Sequence, residues 1–126
     1  MIKIMNIILW DRAFSLEVRY DCYEGENIIP EQIKIVEDFE SHLEWLQKAR
    51  KQVEIYCKRD VEADDKNYKK DNIFSYIKPE YLFVKHDEVH PRVALMCKYR
   101  YDLEHGLAIV FSADGDVSVG IQDIIL

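Results

Sequence analysis

Residues 30–58, PEQIKIVEDFESHLEWLQKARKQVEIYCK, contain no internal glycine or proline. Their apolar residues Ile33, Val36, Phe39, Leu43, Leu46, Val53 and Tyr56 recur at spacings of three and four, or of seven where Arg50 intervenes. That is the period of an amphipathic helix. Pro30 stands where a first helical turn tolerates a missing N–H. Glu31, Glu37, Asp38, Glu40 and Glu44 crowd the first half, and Lys48, Arg50, Lys51, Lys58 and Arg59 the second, each sign suited to the nearer end of the helix dipole. The pattern predicts one continuous helix from Glu31 to Tyr56.

Upstream, Phe14, Leu16, Val18, Tyr20 and Cys22 alternate with Ser15, Glu17, Arg19 and Asp21, the period of a half-buried strand. With residues 2–10 it forms a hairpin turning at Asp11-Arg12. Downstream, residues 58–72 (KRDVEADDKNYKKDN) have one valine and no apolar period, and read as a solvated loop or frayed helix end. Residues 73–77 suit one helical turn stopped by Pro79. Four strand candidates follow: Glu80 to Lys85, Arg92 to Tyr99, Leu107 to Phe111 and Val117 to Ile121. Their short connections leave no room for crossover helices, so they pair antiparallel. With Asp114-Gly115 as the centre of a two-residue turn, Ala113 faces Asp116 and, by extension, Gly106 faces Asp123. The fold class read from the chain is α+β: one domain over residues 1–126, an antiparallel sheet of about six strands with one long amphipathic helix on one face.

Seventeen Lys plus Arg against twenty-four Asp plus Glu give a net charge of −7, the wrong sign for holding a phosphate backbone. Charged residues are 33% of the chain, above the roughly 25% of an average domain, so the surface is densely charged. A nucleic-acid partner is disfavoured and a basic protein partner is allowed. Cys22, Cys57 and Cys97 are odd in number and lack zinc spacing, which suits a reduced, cytoplasmic chain. The apolar run before Trp10 is broken by Asn6 and followed by Asp11-Arg12 rather than a cleavage site, so it reads as a strand. No stretch is long enough to span a bilayer, and no membrane partner is expected.

The densest polar group is Tyr101-Asp102-Leu103-Glu104-His105-Gly106. Asp102, Glu104, His105 and Asp123 are expected at one end of the sheet, where carboxylates and a histidine together suit a hard metal or acid/base work. The other reading is structural: Asp102 and Glu104 accept loop N–H groups, His105 satisfies a carbonyl, and Gly106 supplies a backbone conformation only glycine tolerates. D-x-E-H-G lacks the repeated spacing of a specific ligand set, which favours the structural reading. His86, Asp87, Glu88 and His90 form a weaker candidate cluster before Pro91, and His42 stands alone between core positions. There is no phosphate loop, nucleophile elbow or cofactor motif, so nothing argues for an enzyme or a cofactor.

The run Tyr101 to Phe111, followed by Gly115 and then Val119-Gly120-Ile121-Gln122-Asp123, resembles a widespread family of uncharacterised bacterial domains ending in W-D-x-E-H-G-L-G-V, a turn, and G-x-Q-D. Ile29-Pro30-Glu31-Gln32 is similar to the family's I-P-x-Q helix start, and Lys78-Pro79-Glu80-Tyr81-Leu82 to its strand entry. The chain departs at Tyr101, where the family usually has tryptophan, and at Ala108, where it often has glycine. Similar small acidic proteins stand beside polymorphic toxin genes, including contact-dependent growth inhibition systems, as immunity proteins. The resemblance implies a binding protein that neutralises a cognate, basic nuclease toxin. Two surfaces suit that role: Glu37, Glu40 and Glu44, on the side of the helix away from Val36, Leu43, Leu46 and Val53, and the run Asp60, Glu62, Asp64 and Asp65. The alternatives are a metal-assisted hydrolase using Asp102, Glu104, His105 and Asp123, or an interaction domain with no toxin.

Overall fold

The computed structural model describes residues 2–63 and 70–126, with backbone alone at residues 70–72. The candidate residues Asp64 and Asp65 lie outside the described residues. Six strands, β1 (Lys3–Leu9), β2 (Arg12–Tyr20), β3 (Ile77–Val84), β4 (Arg92–Tyr99), β5 (Leu107–Ser112) and β6 (Val117–Gly120), form one sheet in chain order. Two α-helices, α1 (Pro30–Ser41) and α2 (Glu44–Ala63), and a 3-10 segment, Lys70–Tyr76, connect β2 to β3. The class is α+β. The pairing is antiparallel everywhere except between β2 and β3, which run parallel. That pair departs from the all-antiparallel expectation for a plain reason: a connection carrying two helices returns the chain to the end from which β2 started, as a parallel pair requires.

The single long helix is also corrected. The chain leaves the helix at His42 (φ −124°, ψ 55°), and α2 opens with the N–H of Trp45 bonded to His42 O and that of Leu46 to Leu43 O. Ser41 and His42 are indifferent helix formers, so the interruption costs little locally. Its benefit is tertiary. On an unbroken helix the buried set Gln32, Ile35, Val36 and Phe39 would continue inward through Leu43 and Arg50. The break turns α2 so that Trp45, Leu46, Ala49, Val53, Cys57 and Val61 are buried, while Leu43 and Arg50 stay outside. Phe39 and Trp45 then both reach Phe111, with ring centroids at 5.2 and 6.3 Å. Val61 is the one valine of the stretch expected to be loop, and its burial accompanies the continuation of α2 to Ala63.

The helices bury their apolar sides in one cluster with the sheet residues Met5, Ile7, Leu9, Leu16, Val18, Leu82, Val84, Leu95, Ile109 and Phe111. On the opposite face Ala94, Met96, Ala108 and Val110 are covered by Ile125, which follows a 3-10 turn at Gln122–Ile124. β4 is therefore buried on both sides and reads as a nearly continuous apolar run. β3 begins earlier than expected, at Ile77, and passes through Pro79 at a register shift between Pro79 and Tyr81. Proline has no N–H for a ladder, and an irregularity is where a strand tolerates one.

Turn chemistry moves the registers of two hairpins, the first by two residues and the last by one. The first hairpin turns at Trp10-Asp11, both left-handed (φ 52° and 65°), which closes Leu9 against Arg12. Trp10 accepts that conformation with its indole against Phe74, centroids 4.3 Å apart, while Arg12 Nη2 donates to Phe74 O at 2.7 Å. In the last hairpin Ser112 bonds Asp116 O at 3.0 Å and Gly115 has φ 82°. The loop therefore holds three residues, Ala113 to Gly115, with glycine in the left-handed position that a three-residue loop needs. The pairing of Ala108 with Gly120 then carries Gly106 opposite Gln122, rather than opposite Asp123.

Candidate functional site

Between β4 and β5 the chain makes one tight loop. The Asp102 N–H donates to Tyr99 O at 3.1 Å and the Gly106 N–H to Asp102 O at 2.8 Å. The Asp102 carboxylate accepts the His105 backbone N–H at 3.1 Å and lies 3.0 and 3.1 Å from His105 Nδ1. This hydrogen bond, and then the charge of the same carboxylate, raise the His105 pKa above its ordinary 6.5, with smaller contributions in the same direction from Glu104 and Asp123. The imidazole is held as the partner of one carboxylate.

The register decides what stands beside this loop. Gln122 donates its backbone N–H to His105 O at 3.0 Å and its side-chain Nε2 to Cys97 O at 3.1 Å. Gly106 has φ 63°, and a Cβ there would lie 2.6 Å from Gln122 Nε2 and 2.8 Å from Cys97 O. So Gln122, which the reading from sequence quoted without a role, is the clamp that ties the last turn to the loop. Asp123 is exposed and contributes only a distant charge; Glu104 is exposed as well. Of the four expected partners the structure brings Asp102 and His105 into contact. Among the described residues no group of three or more His, Cys, Asp or Glu is arranged to hold a metal ion.

A second glutamine plays the same part at the other end of the sheet. Gln32 is buried, donating through Nε2 to Asp21 O at 3.0 Å and Val84 O at 3.1 Å, and accepting from the Ile29 N–H at 3.0 Å. It pins the start of α1 to the ends of β2 and β3, and all of its polar atoms are used. The segment I-P-x-Q is thus a helix start with its own clamp. In the loop before β4, Asp87 Oδ1 accepts the N–H groups of Val89 and His90, both at 2.9 Å, and these bonds hold its carboxyl below the ordinary range. His86 lies 3.8 Å from Glu26, so this cluster is divided between turn formation and a surface pair. His42 stacks on Trp45 at 5.1 Å and lies 2.9 Å from Glu44.

The acidic candidates separate by environment. Glu37, Glu40 and Glu44 are exposed, but the helix break divides them; Glu40 pairs with Lys3 at 3.0 Å and Glu44 with His42. Glu62 is exposed near the end of α2 and lies 4.0 Å from Lys58. Asp60 is half-buried and accepts the Tyr99 hydroxyl at 2.8 Å. Burial pushes the neighbouring Cys57 thiol up to about 11 and raises Tyr99 as well. Both stay protonated at neutral pH, so this group fastens α2 to β4 and offers no nucleophile. Ile33 and Leu43, expected in the core, are instead 47% and 46% exposed beside Glu37 and Glu40. Reading from sequence missed them as surface residues; the spacing of seven from Leu46 to Val53 keeps one helix face and carries no sign of the break at His42.

Residues 3–126 match the model of a domain of unknown function (DUF6985), and the chain belongs to that family. No curated protein and no solved structure matches it.

Proposed function

We propose that this member of the family is a binding protein that neutralises a cognate basic toxin, in the manner of an immunity protein. The observation that carries the reading is the solvent side of α1, where Ile33, Glu37 and Glu40 follow one another at helical spacing and Leu43 stands just beyond. Two half-exposed aliphatics among carboxylates supply what a protein interface needs: apolar area to desolvate and charge to orient the partner. The chain's charge of −7 fits a basic surface. The Lys3–Glu40 and His42–Glu44 pairs are exposed and contribute little to stability, so a partner's basic groups replace them at small cost.

The test is co-expression with the product of the neighbouring gene, read as growth and co-purification. Growth is restored and the two proteins elute together if the reading holds. Association slows as salt rises, because exposed pairs are screened over about 8 to 10 Å at physiological ionic strength. Changing Glu37, Glu40 and Glu44 together to lysine slows association further and leaves the circular dichroism spectrum unchanged. A neighbour that is harmless alone, or that remains toxic and unbound beside this protein, overturns the proposal.

A further inference from the structure

β1 is one of the two edge strands of the sheet, and its solvent-side pattern is unusual for an edge. Natural edges are guarded by charge, proline or a bulge against pairing with another chain. Here the strand pairs with β2 in unbroken register from Lys3 to Leu9, contains no proline, and has one charged residue, Lys3. On the face away from the helices, Ile4 is 53% exposed and Ile8 is 72% exposed, with Asn6 between them. Lys3 lies on the other face, engaged with Glu40.

The first turn says which backbone groups are open. Because Trp10-Asp11 is a two-residue turn with both φ values positive, Leu9 and Arg12 are the closing pair and exchange both backbone bonds. By strand alternation Ile7, Met5 and Lys3 also turn their N–H and C=O toward β2, while Ile8, Asn6 and Ile4 turn theirs to the outer edge, which no other strand among the described residues covers. The open hydrogen-bonding groups and the exposed isoleucines therefore belong to the same residues.

We infer that β1 is a homodimerisation edge, pairing antiparallel with β1 of a second copy about a two-fold axis at Asn6. In that register Ile4 of each copy stands opposite Ile8 of the other, Asn6 opposite Asn6, and every open N–H and C=O of the three residues meets its counterpart. About six backbone hydrogen bonds form across the edge. The arrangement is isologous, as a closed dimer demands. Charge selects the occupant. The first ten residues contain no carboxylate, and the carboxylates beside the strand are each paired, Glu17 with Arg19 and Glu40 with Lys3, so this is a part of a −7 chain where a second copy meets little repulsion. A basic partner finds no carboxylate in the strand to pair with and is drawn to the face of α1.

Sedimentation equilibrium on the whole protein tests this directly. A monomer–dimer equilibrium in the micromolar range is expected, and Ile4→Lys/Ile8→Lys, which sets lysine opposite lysine at both outer pairs, gives a monomer that melts where the wild type does when diluted below its dissociation constant. The register has its own test. In a Cys22→Ser background Asn6→Cys forms an intermolecular disulfide under mild oxidation, because directly bonded antiparallel pairs hold their Cα atoms about 5.5 Å apart. Ser15→Cys, one strand inward, does not. A protein that is monomeric throughout this range overturns the inference. So does a dimer that survives Ile4→Lys/Ile8→Lys, or a β1 whose amide protons are protected from exchange only when a different protein is bound.

Discussion

Replacing Gly106 by alanine isolates what holds the last turn to the β4–β5 loop. Two costs are expected. The first is conformational: at φ 63° an L-residue pays about 1–2 kcal/mol. The second is steric. The new Cβ would lie 2.6 Å from Gln122 Nε2 and 2.8 Å from Cys97 O, the donor and acceptor of one 3.1 Å hydrogen bond. The glutamine must withdraw, because Cys97 O belongs to a buried strand, and a carbonyl left without its donor costs about 1–3 kcal/mol. Together the loss is about 2–5 kcal/mol, a large share of a domain's stability. Gly25 provides the comparison. It has φ 83° with nothing within 4 Å of its absent Cβ, so Gly25→Ala pays the backbone cost alone. Urea denaturation followed by far-ultraviolet circular dichroism gives both values, provided the slopes agree. Gly106→Ala should be the worse by about 1–3 kcal/mol, and adding Gln122→Ala should narrow the gap, since the two changes share one interaction. If Gly106→Ala costs no more than Gly25→Ala, the clamp assigned to Gln122 does not exist.

Two further outcomes follow from the same structure. Phe39→Ala should cost about 3–5 kcal/mol, because Phe39 is fully buried against Phe111. Ile33→Ala, at an exposed position, should stay within about 0.5 kcal/mol, and a large loss there in the same denaturation experiment would contradict the observed helix phase. His105→Ala should reduce stability below pH 6.5 and progressively less as the pH rises. The folded-state pKa is raised, so the Asp102 pairing contributes fully below the ordinary value of 6.5 and is lost as the pH passes the folded value. Equal losses at low and high pH in thermal melts would show that the charge of His105 plays no part.

The elements themselves were legible in the chain because each is a local statement of period and turn chemistry. Alternation in residues 14–22 and the four short apolar runs after Pro79 named the strands, and the near-absence of apolar residues between Lys58 and Asn72 bounded them. The parallel β2–β3 contact was not read from the chain, because a long helical connection permits a parallel pair without requiring that the two strands be neighbours. Three things were decided by the tertiary structure. The helix broke at His42 because Phe39 and Trp45 both had to reach Phe111, a distant demand that a local propensity pattern does not contain. The last hairpin gained a third loop residue, and one residue of slip exchanged Asp123 for Gln122 beside Gly106; such a slip turns a strand's side chains to the other face, and it sets Val117 and Val119 against Phe111 and Ile109, a match the assumption of a two-residue turn at Asp114-Gly115 hid. Asp60 became the acceptor of a buried tyrosine, while Ile33 and Leu43 were left in solvent. Which side of a helix is buried depends on what the sheet places against it, and that is a property of the assembled chain.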